Sequence, residues 1–443
     1  MTTTLPSFIC LPDTVAENLL TDFYITQQGA HSRADLFAHA QAFSIQLPEK
    51  AYAVNLCQNR YLFIVAYLAV MLRNQITLLP PNQSPRTLSD LLSAYTPAYC
   101  ITDSIEAAPK QDTVLISEEL LTLNTVIFPP IDQNRILSIS FTSGSTGKPK
   151  AIAKNWREFQ ACAQLAIHHF NLANKAMTIV STVPPQHMYG LETSLFWPLF
   201  SRLSVHNSRP FFPEDIRYTL QTNIGTNRLL ISTPTHLKAC SNSQITWPAV
   251  EKVLSSTAPM AIELARHLED CFNAPLFELL GSTETLSYAS RQPVRSEQWQ
   301  PYQGITLNEQ HGVFSLHSGH LQQPVILDDT FSVAENGAFT LQGRSTDLIK
   351  IAGKRASLVE LNALLNAISG VEEGLFFSDN HERLSIVVVS ALSNKTIMNE
   401  LRPAIDPVFL PRRIIRTPSL PRNATGKLIK TELDALTRGL ALV

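Results

Sequence analysis

The chain is short of glycine, with 16 in 443 residues, and short of net charge, with 35 Lys and Arg against 37 Asp and Glu. Scarce glycine excludes collagen-like and glycine-rich low-complexity chains, and no internal repeat is found. The charge balance of −2 leaves no global basic excess for nucleic acid or an anionic membrane surface. Cysteine is sparse too. Cys10, Cys57, Cys100, Cys162, Cys240 and Cys271 lie far apart without a C-x-x-C, which reads as buried reduced thiols of a cytosolic protein rather than a disulfide frame or a zinc site. Long hydrophobic runs are also missing. The longest, residues 61–72, ends at Arg73. It falls short of the roughly 18–20 residues of a membrane span, so a buried helix is expected. The opening MTTTLPSFIC has neither a basic n-region nor a long apolar h-region, so no signal peptide is expected.

What is present is apolar bulk. Hydrophobic residues make up 44% and charged residues 16%, enough for a large core. The length suggests two to three domains. Short apolar runs alternate with helical stretches, the pattern of an α/β protein. Strands are expected over 76–80, 135–141, 177–182, 228–232, 252–256 and 275–280. Asn155 with Glu158 three residues on forms a capping-box pattern. The helix it opens places Phe159, Cys162, Ala163, Ala166, Ile167 and Phe170 on one face. Adjacent His168 and His169 lack ligand spacing and read as the edge of that helix. The polar stretch 290–304 is expected as a surface loop. Beyond Gly343-Arg344 a strand over DLIKIAG, a helix opened by Ser357-x-x-Glu360, a strand over 384–391 and a basic hairpin-like segment over 412–430 suggest a second, α+β domain. The boundaries are 1–344 and 345–443.

The first chemical motif is FTSGSTGKPK at 141–150, between a strand and a helix. Gly144 and Gly147 let backbone fold tightly around a ligand. Hydroxyls at Thr142, Ser143, Ser145 and Thr146, with Lys148 and Lys150, suit a polyphosphate. It is not a Walker A loop, which needs glycine at 142 and Ser or Thr at 149, where Thr142 and Pro149 stand. A flexible Ser/Gly surface loop is the competing reading.

Three further segments follow in order: LGSTE at 280–284, Asp329 with Gly343-Arg344 downstream, and LPRNATGK at 420–427. Together the four resemble the motif set of the adenylate-forming superfamily, which holds acyl- and aryl-CoA synthetases, stand-alone adenylation domains and beetle luciferases. The resemblance runs from about residue 50 to the C-terminus. It implies a large N-terminal domain of stacked β-sheets flanked by helices, αβαβα-like, with a small C-terminal α+β domain on a hinge. It also implies two half-reactions. A carboxylate attacks the α-phosphate of Mg-ATP, and a thiol of coenzyme A or of a carrier-protein phosphopantetheine then displaces AMP. A carboxylate would have to expel oxide, whereas AMP leaves readily.

The resemblance assigns roles by position. The 142–150 loop clamps the β- and γ-phosphates. Gly281 and Ser282 line the nucleotide, Thr283 bonds the α-phosphate and Glu284 holds Mg²⁺, a hard cation suited to carboxylate oxygen. Asp329 accepts the ribose hydroxyls; its neighbour Asp328 is set aside on the spacing to Gly343-Arg344. Arg344 contacts ribose or phosphate at the domain boundary. Lys427 bridges the substrate carboxylate and the α-phosphate in the adenylation geometry. The VPPQHMYG segment at 183–190 lines the acyl pocket through His187, Tyr189 and Gly190, with His187 near the carboxylate. Ser256, Thr257, Ala258 and Pro259 form a turn beside the acyl group. Gly353 flanks the pantetheine channel, where Lys354 and Arg355 meet a nucleotide phosphate or an acidic carrier protein.

The chain departs from the pattern at three places. Leu280 replaces the tyrosine that stacks on adenine. Thr346 stands at the hinge in place of Asp or Lys. Ser256-Thr257 replaces a glycine pair and narrows the pocket. Tyr189 is followed by Gly190 instead of the aspartate that pairs with an α-amine, which disfavours an α-amino acid; Glu192 keeps one open. Aryl and fatty acids remain, with weak favour for a hydroxybenzoate-like acid. The segment through Glu192 looks most like the ligases of bacterial aryl-polyene clusters, which load an acyl carrier protein. Rival readings are an adenylating ligase with an amine acceptor and a non-catalytic nucleotide-binding regulator.

Overall fold

A computed structural model describes residues 8–9, 21–26, 29–104, 106, 112–121, 131–143, 149–222, 227–344, 348–351, 354–379, 383–422 and 428–439. The chain is mixed α/β and divides into two compact units. One comprises Met1–Thr306 with His317–Val325, the other Leu307–Leu316 with Ile326–Val443. Residues 307–316 and 326–344 thus group by contacts with the C-terminal unit, whereas the motif-based boundary lies at 344/345.

The first unit is built on two sheets. The six-stranded sheet runs Pro149–Asn155, Ile136–Ser143, Ile76–Leu79, Tyr52–Asn55, Ala98–Thr102, Thr113–Leu115. All its neighbours are parallel except the antiparallel pair Ile136–Ser143 and Pro149–Asn155. The nine-stranded sheet has a parallel centre. Leu276–Ser282, Lys252–Ser255, Arg228–Ser232, Thr178–Ser181, Ser204–His206 and Asp22–Ile25 lie side by side, and antiparallel strands close both ends. The expected strands of this unit are all present within a few residues of their sequence positions. Their β-branched and leucine runs are buried on both faces, as central parallel strands require.

The apolar run at 61–72 forms the helix Arg60–Leu72, buried from Arg60 to Met71. It touches both sheets. The Tyr67 hydroxyl donates to Ser138 Oγ at 3.0 Å in one sheet, and Arg60 Nη2 donates to the Ser181 carbonyl at 2.8 Å in the other. Each fully buried Leu, Ile or Phe side chain here contributes roughly 1.5–3 kcal/mol. The Trp156–His169 helix starts at its expected cap, with the reciprocal Asn155–Glu158 bonds present. Phe159 stacks on Phe196 at 4.1 Å, and His169 Nε2 meets Ser290 Oγ at 2.7 Å.

Residues 290–304 are not the surface loop expected from their polarity. Ser290 and Arg291 end the Leu286–Arg291 strand, Gln300–Pro301 pairs with it, and Ser290, Trp299 and Tyr302 are buried. Arg291 lies 4.8 Å over the Trp299 ring, so a polar-looking segment is held by aromatic and cationic packing.

In the second unit the strand Asp329–Val333 pairs antiparallel with Phe339–Arg344, and Leu348–Ile351 with Lys354–Ser357. The helix Leu358–Asn366 opens just after Ser357, close to its expected start. The sheet Val371–Asp379, Arg383–Ser390, Ile414–Arg416 carries a core of Leu361, Leu365, Leu384, Ile386, Val388, Ile397 and Phe409. All five described cysteines are free thiols, four of them buried. No helix among the described residues is long and apolar enough to cross a membrane.

Candidate active site

In parallel α/β sheets ligands bind beyond the carboxyl ends of the strands. Three of the expected site segments emerge there from parallel strands of the nine-stranded sheet. The 183–190 segment follows Thr178–Ser181, the 256–260 turn follows Lys252–Ser255, and residues 283–285 follow Leu276–Ser282.

The segments are tied to one another. The Tyr189 hydroxyl donates to the Leu254 carbonyl at 3.1 Å, joining the first to the start of the second. Ser256 Oγ donates to the Leu279 carbonyl at 3.0 Å. Met260 N donates to Glu278 Oε1 at 2.8 Å, and the other oxygen of Glu278 takes Arg291 Nε at 2.6 Å. Burial pushes the Glu278 carboxyl up, and Arg291 opposes that shift. Glu278 was not expected from the sequence, because an acid inside an apolar strand run carries no motif.

Two glycines are required by close backbone approach. A Cβ at Gly190 would lie 2.0 Å from the Pro184 carbonyl oxygen, so the 183–190 segment closes only on glycine. A Cβ at Gly281 would meet the Leu286 carbonyl oxygen at 2.5 Å across the hairpin. Thr257 holds φ 86, a conformation rarely open to a β-branched residue. It is the position where the family resemblance implied glycine, and the backbone there has kept the glycine geometry. His187 precedes the short helix Met188–Leu191 as its N-cap and is half-buried. Ala258 is half-buried and Pro259 exposed in the same turn as Thr257.

Lys150 and Glu284, taken from two separate motifs, are brought together. Lys150 Nζ lies 3.9 Å from Glu284 Oε1, with the carboxylate 28% exposed. The Thr283 side chain stands half-buried beside it, and Ser282 and Gly281 are exposed. One partly exposed carboxylate suits Mg²⁺, which keeps several waters and takes one or two carboxylates plus phosphate oxygens. Among the described residues no group of three or more His, Cys, Asp or Glu forms a closed metal cage.

Behind this turn lies a buried polar layer that the sequence did not announce. Lys154 Nζ, 4% exposed, donates to Glu158 Oε1 at 2.9 Å and to the Glu284 carbonyl at 2.6 Å. His320 Nε2 lies 2.8 Å from the Thr285 carbonyl. Glu192 sits in the π-helical turn Glu192–Phe196, a distortion frequent at functional sites. Its carboxyl accepts from Ser287 N at 3.2 Å, from Ser287 Oγ at 2.6 Å and from Cys162 Sγ at 3.6 Å. Burial raises its pKa to about 7, against the lowering pull of the Ser287 hydrogen bonds. Glu192 is therefore engaged in the interior and is not offered to a substrate ammonium. The signal that existed for Glu158 was the capping box; its second role, toward Lys154, had none.

The remaining site residues belong to the second unit or lie outside the described residues. Asp329 begins its strand directly opposite Arg344 in the ladder, and Thr330 Oγ1 donates to the Gly343 carbonyl at 2.9 Å. Asp328 is exposed, whereas Asp329 is half-buried. Lys354 and Arg355 open the strand Lys354–Ser357. Arg422 and Leu428 face each other in an isolated antiparallel bridge. Gly144, Ser145, Thr146, Gly147, Lys148, Thr346, Gly353 and Lys427 lie outside the described residues. Thr142 and Ser143 end the strand Ile136–Ser143.

Turns gathered at the carboxyl ends of parallel strands mark the ligand-binding edge of an α/β fold. Residues 15–311 match the model of the AMP-binding enzyme family, more than half of the chain, and the chain belongs to that adenylate-forming family. The putative long chain fatty acid-CoA ligase VraA of Staphylococcus haemolyticus is 23% identical over 328 residues, 68% of this chain and 70% of that protein. The probable CoA ligase CCL8 of Humulus lupulus is 24% identical over 367 residues, 67% of this chain and 60% of that protein, so the match spans less than two thirds of its length. ATP-bound MatB from Rhodopseudomonas palustris superposes with a TM-score of 0.82 at 17% identity, covering 96% of this chain and 99% of that one. At that identity the likeness concerns the fold.

Proposed function

We propose that the protein activates a small carboxylic acid, an aryl acid of the hydroxybenzoate kind in preference to a fatty acid, as its acyl-adenylate. It then passes the acyl group to a phosphopantetheine thiol of an acyl carrier protein or of coenzyme A. The observation that carries this reading is the meeting at 3.9 Å of Lys150, on a strand of the six-stranded sheet, and Glu284, just past a strand of the nine-stranded sheet, each from a different motif. In the first step a carboxylate oxygen bonds to the α-phosphorus and pyrophosphate leaves. In the second the thiolate sulfur bonds to the acyl carbon and AMP leaves. Lys150 and the 142–148 loop offset phosphate charge, Glu284 holds Mg²⁺, and Lys427 stabilises the charge that gathers between carboxylate and α-phosphate. Asp329 and Arg344 hold the ribose. Gly353, Lys354 and Arg355 receive the pantetheine arm.

The acyl pocket is assigned to His187, Tyr189, Gly190 and the 256–259 turn. The engaged state of Glu192 supports an acid without an α-amine. Among structural neighbours, an anthranilate CoA ligase holds anthranoyl-AMP and an o-succinylbenzoate CoA synthetase holds AMP, both named for aromatic acids. Work on free acids with ATP fits the cytoplasm.

The test is the thiol dependence of AMP release. Protein, Mg-ATP and hydroxybenzoate are incubated with coenzyme A, a holo-carrier protein or a simple amine, and AMP is quantified. Release stimulated by a thiol supports the reading and names the acceptor. Stimulation by the amine alone would reassign the acceptor, and ATP binding with no AMP from hydroxybenzoate or from a fatty or amino acid supplied in its place would make the protein a regulator.

A further inference from the structure

We infer that Lys154 and His320 are positioning residues of the nucleotide–metal site, holding the consecutive carbonyls of Glu284 and Thr285 and thereby steadying the turn that carries the Glu284 carboxylate. The inference rests on Glu284 as the metal-holding acid of the proposed function.

A hairpin turn usually meets solvent and is shaped by its own residues. This one has such internal bonds. Ser282 N donates to Thr285 Oγ1 at 3.0 Å, and Thr285 Oγ1 donates to the Leu286 carbonyl at 2.8 Å. It is also gripped from inside by two buried donors from separate segments. Lys154, on the strand Pro149–Asn155, takes the Glu284 carbonyl at 2.6 Å. His320 takes the next carbonyl, of Thr285, at 2.8 Å. A carbonyl only accepts, so Nε2 of His320 carries the proton and Nδ1 accepts from Ser318 Oγ at 2.6 Å. Burial lowers the His320 pKa, which agrees with that neutral tautomer.

The peptide planes on either side of Thr285 are thus held, and the first of them is the plane that leads out of Glu284. The ion pair behind Lys154 strengthens the case. A buried Lys–Glu pair is no more stabilising than a well-packed apolar pair of similar volume. Here Glu158 spends one oxygen on Lys154 and the other on Asn155 N at 3.1 Å. The ammonium is therefore held in place at both ends, with one proton delivered to the turn. Outer partners of this kind change metal affinity by roughly 10–100-fold when removed.

The experiment compares wild type with Lys154→Met/Glu158→Gln, His320→Phe and His320→Gln. The double variant removes both buried charges at once, and the glutamine keeps a donor where Nε2 stood. Mn²⁺ affinity of the enzyme–ATP complex is read by water-proton relaxation. The Mg²⁺ and acid dependence of ATP–pyrophosphate exchange are read beside it, and thermal melts report folding. The expected result is metal binding weakened about ten-fold in the double variant and in His320→Phe. His320→Gln stays near wild type, and KM for the acid is unchanged. Folded variants that bind Mn²⁺ as tightly as wild type overturn the inference, as does a fall in kcat with unchanged metal dependence. If the double variant does not fold, the two His320 variants decide. A wild type that binds Mn-ATP but exchanges with no acid defeats the proposed activity while the metal comparison still decides this point. A wild type that binds no Mn-ATP removes the metal role of Glu284, and the inference with it.

Discussion

The buried Glu192 makes a quantitative test of the interior behind the site. Burial moves its carboxyl from the ordinary 4.5 to about 7, the Ser287 and Cys162 hydrogen bonds and Lys154 pulling the other way. Between those two pH values folded Glu192 keeps a proton that the unfolded chain has lost. Stability from this group is therefore complete below about pH 4.5 and is lost as pH rises through about 7. At about 1.36 kcal/mol per pH unit the swing is on the order of 3 kcal/mol. The perturbation is Glu192→Gln, which does not titrate and still accepts from Ser287 N. Its amide donors are left with the Ser287 hydroxyl and the Cys162 sulfur. Thermal melts of both proteins are run from pH 5 to pH 8.5. The Tm of the variant relative to wild type should climb with pH and level off above about 7. At roughly 2 °C per kcal/mol the climb should total about 5 °C. A Tm difference that stays flat across the range, or that falls, would show that Glu192 is ionised in the fold and that the reasoning about its burial is wrong.

Three other outcomes are expected. Lys427→Ala should cut adenylation by several orders of magnitude yet spare thioester formation from supplied acyl-adenylate; equal loss in both half-reactions would remove the division of labour. Thr257→Gly relieves a positive φ at a β-branched residue and should raise stability by about 1 kcal/mol, seen as a higher Tm, whereas a lower Tm would mean that the threonine side chain is needed where it stands. Gly190→Ala places a methyl 2.0 Å from the Pro184 oxygen, so the 183–190 segment must open; soluble protein with unchanged KM for the acid would contradict that geometry.

The parallel strands were legible because each is a short run of leucine and β-branched residues buried on both faces, a signal that survives in a single sequence. The Asn155 cap was legible because its partner is local. Residues 290–304 were misread for the opposite reason. Their polarity suggested solvent, but Arg291 is neutralised by Glu278 at 2.6 Å and covers Trp299. The same limit applies at the site. Motif residues such as Thr283 and Glu284 stand next to one another in the chain, whereas the groups behind them arrive from distant segments. Nothing in the sequence singled out Lys154, and Glu158 showed only as the partner of the Asn155 cap, yet the fold buries both under the 283–285 turn. His320 has no motif at all. Contacts gather residues 326–344 with the C-terminal unit, while Gly343-Arg344 marks a boundary by resemblance, and the two describe different properties of the chain.

The most direct measurement is carboxylate-dependent ATP–pyrophosphate exchange over a panel of hydroxybenzoic, cinnamic, fatty and amino acids, with Glu284→Ala and Lys427→Ala as controls. Exchange with the aryl acids that vanishes in both variants is the expected result. Absence of exchange with every acid, in protein shown to bind ATP, would contradict adenylation as the function of this site.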